Sequence, residues 1–485
     1  MKYIGQDPAV LDNFVTAVAN GAISSGDPCV VDSTGTVAAI SGGSATTNEG
    51  SIVTFNAALT NYINSVYDTG NSKTVTVYKD STNYPAAIVG TPSATSIGFG
   101  TENSWESNNT NYHKICYDAN SGKIICAYER FTDSKAYIVI GTVSGTSISF
   151  GTPVEFYNAN IQDPDLVYDP SSQKSIIFYR DNSSQRYGRA RVITVSGTSA
   201  TLGTETVFNT ARSEEKRGIY DVASEQVVLF YRDLGNSGYL TAKVATVSGT
   251  SISFSSSSVL SSSYVVDGEI GASYDTEQDK IVVCFANSSN SDYGTAVVCS
   301  VSGSSVTYGT PVVFESAATI MGDSVDYNVA AKKHIFAYRD SGNLSRGTRK
   351  SGTVSGTSIT FDSAYVFETG TTNWISIVYD PVQKTNLIFF QDAGNSSFGK
   401  AHNYREGYNT LNLTAENFIG FADKDYADGA DAVIQAKGAV NDKQTSLTAG
   451  QSYFVQTDGT IGTTADDPSV FAGTAVSATQ LIVKG

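Results

Sequence analysis

Five dipeptides at equivalent places of an internal repeat carry groups that could grip a ligand. They are Lys79-Asp80, Arg180-Asp181, Arg232-Asp233, Arg339-Asp340 and Gln391-Asp392. An arginine fork can hold a carboxylated or hydroxylated sugar through parallel hydrogen bonds, so Arg180, Arg232 and Arg339 are candidate ligand-binding residues. The same pattern is typical of a turn in which Asp caps the backbone and Arg is solvated. The turn is the preferred interpretation, and the sugar site is the alternative.

Three aromatic residues, Tyr62, Tyr112 and Trp374, each precede the first strand of a repeat and would reach the same rim. Aromatic rings offer flat apolar platforms to sugars, although packing beneath a loop explains each of them as well. If a ligand site exists, the sequence places it on the rim with these residues. The candidate binding residues are Tyr62, Tyr112, Arg180, Arg232, Arg339 and Trp374.

Other polar clusters predict no cofactor and no bound metal. The acidic series Asp423, Asp425, Asp428 and Asp431 is rich in oxygen, but its spacing misses the EF-hand loop and no bidentate Glu follows, so we interpret it as a polar turn. The three histidines fall at different positions of different repeats, which gives little support to a metal site or a Ser-His-Asp triad. They are His113, His334 and His402.

The elements that position these residues follow from self-similarity. A tyrosine, followed by Asp in every unit except one, ends an apolar run seven times, at steps of 50, 51, 52, 54, 53 and 52 residues. The tyrosines are Tyr67, Tyr117, Tyr168, Tyr220, Tyr274, Tyr327 and Tyr379. Each is followed 11 residues later by a second aromatic, which predicts a hairpin of two buried strands. These second aromatics are Tyr78, Tyr128, Tyr179, Tyr231, Phe285, Tyr338 and Phe390.

A third strand then leads to a Val-Ser-Gly turn, as at 143–145, and a fourth strand follows. Four antiparallel strands in about 50 residues are typical of a propeller blade. The last unit lacks its fourth strand, while residues 50–57 resemble the fourth-strand segment 309–316. The sequence therefore predicts an all-β protein with a seven-bladed β-propeller over residues 49–405, whose last blade is closed by residues 50–57.

Residues 1–48 and 406–485 lie outside the repeat. Segments 26–37 and 450–461 resemble each other, and both predict two strands joined by a polar Gly turn. Neither end is long enough for a core of its own, so we expect one composite β domain into which the propeller is inserted. Asp7 as cap and Pro8 at the first helical position predict a short helix over residues 7–19.

The net charge of −16 disfavours nucleic-acid binding. No apolar run reaches about 18 residues, which disfavours membrane insertion, and the segment Met1-Lys2-Tyr3-Ile4-Gly5 lacks the apolar core of a secretory signal. We therefore expect synthesis and folding in a cytoplasm. The five cysteines lie in apolar runs without a Cys-x-x-Cys pair and are expected in the core.

Enzymatic chemistry has weak support, and no catalytic residue is predicted. Sialidase-type propellers combine an arginine cluster with acidic groups, which Glu214 or Asp267 could imitate here. The accompanying Ser-x-Asp-x-Gly-x-x-Trp box is absent from the sequence. A sialidase-like glycosidase is therefore the least favoured alternative.

The two ends resemble virion proteins of tailed bacteriophages, including marine phages and cyanophages. The resemblance lies in segments 413–422, 426–429, 433–438, 447–456 and 472–479, and Gly26-Asp27-Pro28 resembles the start of capsid decoration proteins. It implies a virion-surface structural protein that has other virion proteins as partners. It also implies a homo-oligomer, with a trimer as the expected state.

The preferred function is therefore a non-enzymatic capsid decoration or head-fibre protein, anchored by its terminal domain. The first alternative is a tail fibre or receptor-binding tail protein involved in host attachment. A glycan-binding lectin, with a host-surface glycan as ligand, is the second.

Overall fold

The computed structural model describes residues 13–32, 34–182, 185–260, 266–466 and 468–484. The protein is all-β and contains several antiparallel sheets. It divides into two compact units. The terminal unit comprises the described residues up to Thr46 and those from Gly407 onward, and the middle unit comprises Thr47–Glu406.

Each repeat of the middle unit forms an antiparallel meander of three long strands. The first strands are Asn61–Asp68, Thr110–Asp118, Ile161–Asp169, Thr206–Asp221, Val266–Asp275, Val325–Asn328 and Tyr365–Asp380. The second strands are Lys73–Lys79, Lys123–Arg130, Lys174–Asp181, Gln226–Asp233, Lys280–Asn287, Lys333–Asp340 and Thr385–Asp392. The third strands are Pro85–Pro92, Lys135–Ser144, Tyr187–Ser196, Tyr239–Ser248, Tyr293–Ser302, Arg346–Ser355 and Phe398–Arg405.

The fourth position of a sheet is shared by two short segments that both pair with the third strand. The first segments close a hairpin and are Ile97–Phe99, Ser147–Phe150, Ser199–Leu202, Ser251–Phe254, Ser305–Tyr308 and Ser358–Phe361. The second segments include Asn103–Ser104, Val154–Tyr157, Ser258–Val259 and Val312–Ile320. In Thr206–Asp221 and Tyr365–Asp380 one continuous strand pairs first with the preceding unit and then with its own.

The Val-Ser-Gly turn has a simple backbone reason. Ser144 pairs with Ser147, which leaves a loop of Gly145 and Thr146. Gly145 has φ +61°, a left-handed conformation that Gly adopts without the steric cost of a Cβ. The four later copies of the turn also place Gly at φ between +57° and +63°.

The seventh repeat takes its fourth strand from the N-terminal end of the middle unit. Asn48–Asn56 pairs antiparallel with Phe398–Arg405, with Ile52 opposite His402 and Val53 opposite Ala401. The sequence predicted this pairing for residues 50–57.

The Tyr-Asp signature is explained by a side-chain cap. The Asp after each tyrosine is buried and accepts a backbone N–H from the following turn, as Asp68 does from Asn71 at 3.0 Å and Asp380 from Val382 at 2.8 Å. In the variant unit Asn328 accepts from Ala331 N at 3.0 Å, because an amide oxygen serves equally well.

Neighbouring units bury each other's apolar faces. The second aromatic of every unit is fully buried, and buried clusters draw on pairs of consecutive units. One cluster combines Tyr78 and Ile88 of the first unit with Leu387 and Phe389 of the last. The first strands contact one another in succession, and Tyr365–Asp380 contacts Asn61–Asp68.

The terminal unit contains two five-stranded sheets and one strand pair. The first sheet has the order Phe14–Val18, Asp431–Gln435, Phe418–Ala422, Pro28–Val31 and Val37–Ala39. The second has the order Val440–Asn441, Leu481–Val483, Val470–Ala475, Ser452–Val455 and Ile461–Gly462. Gly42–Ala45 pairs with Tyr408–Leu411. Side chains of both sheets share one core that includes Phe421, Val455 and Leu481.

The predicted helix over residues 7–19 is wrong for its described part. Phe14–Val18 is a strand whose partner is Asp431–Gln435. Val15, Thr16 and Val18 are β-branched and favour extended backbone, and the pairing outweighs the local capping signal. Residues 7–12 lie outside the described residues.

Helical structure in the described ranges is limited to three single 3-10 turns, Leu234–Asn236, Ser288–Asn290 and Ser341–Asn343. No helix in this part of the chain is long and apolar enough to cross a membrane. All five cysteines are buried and free, as the sequence predicted.

We predict that Asp169→Ala destabilises the protein by about 1–2 kcal/mol, because the backbone and hydroxyl donors of the turn lose their acceptor. Asp169 accepts from Ser171 N at 3.0 Å and from Ser172 Oγ at 2.7 Å. Urea unfolding of the purified variant measures this loss. Asp169→Asn is the matched control and should cost much less, since Asn328 serves this role naturally; an equal loss in both variants would contradict the explanation.

Candidate functional site

Equivalent bulges on the first strands build the site. The pairing of first and second strands slips between Asn61 and Asn64, between Asn111 and Lys114, and at the corresponding place of four further units. In the sixth unit, the chain between Val312–Ile320 and Val325–Asn328 occupies that place. A bulge re-aims side chains that would otherwise follow the pleat.

The bulges line one cavity of about 620 Å³ in the middle unit. Every unit contributes to it. The lining residues from the bulges include Tyr62, Tyr112, His113, Asp163, Glu215, Lys216, Gly268, Met321, Asp323 and Trp374, and Arg339 and Asn373 also line the cavity. The volume lies within the usual range for small-molecule sites.

Three rings form one wall of the cavity. The ring centroids of Tyr62 and Trp374 are 4.5 Å apart, and those of Tyr62 and Tyr112 are 5.9 Å apart in an edge-to-face arrangement. Trp374 remains 38% exposed, so its ring is accessible to a ligand. The structure therefore brings together all three aromatics that the sequence placed on one rim.

The backbone at this wall is held in an uncommon conformation. Tyr62, Tyr112 and Trp374 have φ of +53°, +55° and +50°, and the cavity residues Asp163 and Glu215 have +47° and +51°. Left-handed backbone is costly for bulky residues and persists where surrounding structure enforces it, often at functional sites. Five such residues around one cavity indicate that the fold maintains this arrangement of side chains.

A buried ionic cluster forms the floor. The Asp323 carboxylate accepts from Lys114 Nζ at 3.1 Å and also from Asn64 and Arg217. Burial alone would raise the pKa of Asp323, but the Arg217 and Lys114 charges outweigh it and lower the pKa to about 2. Side chains of three other repeats thus converge on one carboxylate, which stays ionised at neutral pH.

His113 also lines the cavity and is buried. Its Nε2 lies 2.8 Å from Thr110 Oγ1. Burial and the nearby Lys79 charge lower the pKa of His113 to about 3, so the ring is neutral near pH 7. Lys79 also donates a hydrogen bond to Asn111 at 3.0 Å, and its Nζ lies 5.9 Å from the Tyr62 ring centroid. Lys79 therefore contacts the aromatic wall at Tyr62 and the residue that precedes Tyr112.

The three candidate arginines have different surroundings. Arg339 lines the cavity. Arg180 is buried and lies 3.8 Å from Asp163 and 3.6 Å from Glu214. Arg232 lies 3.8 Å from Glu214. Neither Arg180 nor Arg232 is among the described residues that line the cavity. Arg232 pairs with Glu214 of its own repeat, whereas Arg180 pairs with Asp163 of its own repeat and with Glu214 of the next.

The acidic series of the terminal unit caps turns. Asp428 accepts from Gly21 N at 2.8 Å, Asp425 from Ser25 N at 2.7 Å and Asp423 from the Tyr426 hydroxyl at 2.6 Å. Within the described ranges, no three His, Cys, Asp or Glu side chains form a group that could hold a metal ion.

Sequence reasoning found Arg339 but missed the acidic residues of the cavity. Asp163 and Glu215 occupy the position of Tyr62 in their own units, five residues before the tyrosine of the repeat. Asp323 lies four residues before Tyr327. Alignment of the seven repeats on that tyrosine would have found this ring of positions.

Comparison with solved structures finds a similar fold. The chain is similar to the BP39L lectin from Burkholderia pseudomallei, with a TM-score of 0.52 and 9% identity over 72% of this chain and 96% of that chain. Weaker matches are Sqt1 from Chaetomium thermophilum, with a TM-score of 0.42 and 10% identity over 80% of this chain and 100% of that chain, and an AofleA mutant from Arthrobotrys oligospora, with 0.40 and 9% over 69% and 92%. No family model and no curated protein matches the chain. At these identities the likeness concerns the fold alone.

We predict that Asp323→Asn destabilises the protein by about 1–3 kcal/mol, because the partly buried Lys114 and Arg217 lose the carboxylate that they share. Thermal unfolding at pH 7 measures this loss. The contribution of Asp323 is complete above its ordinary pKa near 4 and is lost as the pH falls towards 2, so the two proteins should converge in strong acid.

The matched control is Asp362→Asn, which removes an exposed partner of Lys333 at 2.8 Å. A surface pair of this kind is worth about 0–1 kcal/mol. Equal losses in the two variants would contradict a structural role for the floor cluster.

Proposed function

We propose that the middle unit is a seven-bladed β-propeller inserted into the composite terminal domain. The support is the cycle of contacts between first strands and the pairing of Asn48–Asn56 with Phe398–Arg405. On this proposal the cavity lies on the propeller axis, where the first strands of all blades meet.

The proposed function is non-enzymatic carbohydrate binding in this cavity. The observation that carries it is the wall of Trp374, Tyr62 and Tyr112, three rings held together by backbone bulges beside polar side chains. Aromatic rings bind the apolar faces of sugars, while side-chain amides and charges select hydroxyl groups. The BP39L lectin is named as a lectin and has a similar fold, which agrees with this proposal.

The floor carboxylate Asp323 does not have the properties of a glycosidase acid. A glycosidase needs a carboxylic acid that still carries its proton near neutral pH. Asp323 has the opposite character, since its pKa is lowered and two cations hold it in place.

A virion role stays a proposal and rests on the resemblance of the terminal segments alone. A glycan-binding propeller carried by a virion would serve host attachment. It would require virion partners and a symmetric oligomer. Reconstruction of a parent particle with this density on the shell would support capsid decoration, and density on the tail would support a tail protein.

We predict that the purified protein binds a subset of glycans on an array and that Trp374→Ala weakens this binding at least about tenfold, as expected for loss of a ring at the centre of a contact. Titration calorimetry with the best glycan measures the change. Phe131→Ala is the control, since Phe131 is 59% exposed and is not a cavity residue. Binding that survives Trp374→Ala, or the absence of any glycan ligand, would refute the site, and release of sugar from a bound glycan would refute binding without turnover.

A further inference from the structure

We infer that the cavity selects a sugar bearing a carboxylate and that Arg339 binds this carboxylate. This inference rests on the proposed function and specifies its ligand class. Three cations line the cavity, and they are Lys114, Lys216 and Arg339.

Two of these cations already have carboxylate partners. Lys114 lies 3.1 Å from Asp323, and Lys216 lies 3.8 Å from Asp163. Across the described part of the chain, Arg339 has no carboxylate within 4.0 Å, and its one side-chain hydrogen bond runs from Nη1 to Asn373 Oδ1 at 2.9 Å. Arg339 is therefore the cavity cation whose charge is left for a ligand.

A chain of amides fixes the Arg339 fork relative to the aromatic wall. Asn373 donates to Gln391 Oε1 at 2.8 Å, and Gln391 donates to Asn61 Oδ1 at 2.8 Å and to Thr60 O at 2.6 Å. Asn373 directly precedes Trp374, and Asn61 directly precedes Tyr62. The same hydrogen bonds thus position the guanidinium and both rings, so a ligand stacked on the wall meets the fork in a set geometry.

The surroundings favour a carboxylate over a phosphate. The planar guanidinium matches the two oxygens of a carboxylate. The protein carries a net charge of −16, so a doubly charged phosphate meets more repulsion than a singly charged carboxylate. Ile320, which pairs with Arg339 and is 48% exposed, gives an apolar border to this corner. A uronic acid or another carboxylated sugar fits these groups.

The test uses matched probes in calorimetry. An oligosaccharide that ends in a uronic acid is compared with the same oligosaccharide after reduction of its carboxyl group to the alcohol. A sialylated glycan and its desialylated form provide a second pair, and a phosphorylated sugar tests the anion type. The proteins are the full chain, Arg339→Gln, Arg339→Lys and Lys333→Gln. Lys333 is a control on the same strand that does not line the cavity and pairs with Asp362 and Glu406.

We expect the unchanged protein to prefer at least one carboxylated probe over its neutral counterpart by about tenfold or more, as a charged hydrogen bond in a cavity supplies. Arg339→Gln should abolish this preference and retain the affinity for the neutral probe, Arg339→Lys should keep part of it, and Lys333→Gln should keep all of it. Thermal unfolding verifies that each variant is folded.

Three results would overturn the inference: equal affinity of the unchanged protein for both members of each pair, a preference that survives Arg339→Gln, or tightest binding of the phosphorylated sugar. If one of these results is found while the protein still binds the neutral probes, and Trp374→Ala abolishes that binding, the inference fails and the proposed function remains supported. No binding of any probe would overturn both.

Discussion

Each sheet of the middle unit has two apolar faces, and neither face can be buried without another sheet beside it. In Lys174–Asp181 every residue after the first is buried, so this second strand is covered on both sides of its sheet. A sheet of this kind is stable only between two neighbours, and a row of them has two unsatisfied ends unless the last meets the first. The cluster of Tyr78, Ile88, Leu387 and Phe389 supplies that contact. Stacking in this way also fixes the first strands next to one another, which is the condition for the site.

Where seven first strands approach one another, their side chains must either fill the space or leave a cavity. The structure does both. Asn64, Lys114, Arg217 and Asp323 fill one level with a buried ionic cluster, whereas the bulges a few residues earlier turn side chains aside and leave about 620 Å³ open. Buried ion pairs are a poor source of stability compared with apolar packing, but they demand a single geometry. The ionic floor therefore contributes less stability than apolar packing would, but it defines the arrangement of the strands that carry the aromatic wall.

The repeat could be predicted from the sequence because its signals are local and recur seven times. The 11-residue spacing gives the hairpin, the Val-Ser-Gly turn needs left-handed glycine, and the Tyr-Asp pair caps a turn with the Asp. The bulges escaped prediction because left-handed backbone at Tyr62, Tyr112 and Trp374 is imposed by packing and has no residue signature of its own. The strand Phe14–Val18 was missed for a related reason, since its partner Asp431–Gln435 lies more than 400 residues away. Equivalent positions for Arg180, Arg232 and Arg339 did not imply equivalent surroundings, because the residue that meets each arginine varies between units.

That variation is what converts a symmetric scaffold into an asymmetric cavity. In four repeats the position before the bulge holds Asn61, Asn111, Glu214 or Asn373, and a residue of the preceding repeat's second strand contacts it. Where the next repeat offers Glu214, Arg180 forms an ion pair, and where it offers Asn373, Arg339 has only an amide partner within the described chain. A single amide in place of a carboxylate therefore decides which guanidinium remains able to attract an anion. Because the net charge of the protein repels anions, selection of an acidic ligand depends on a cation that has no carboxylate partner. Among the described residues of the cavity, Arg339 is that cation, and it lies beside the three rings.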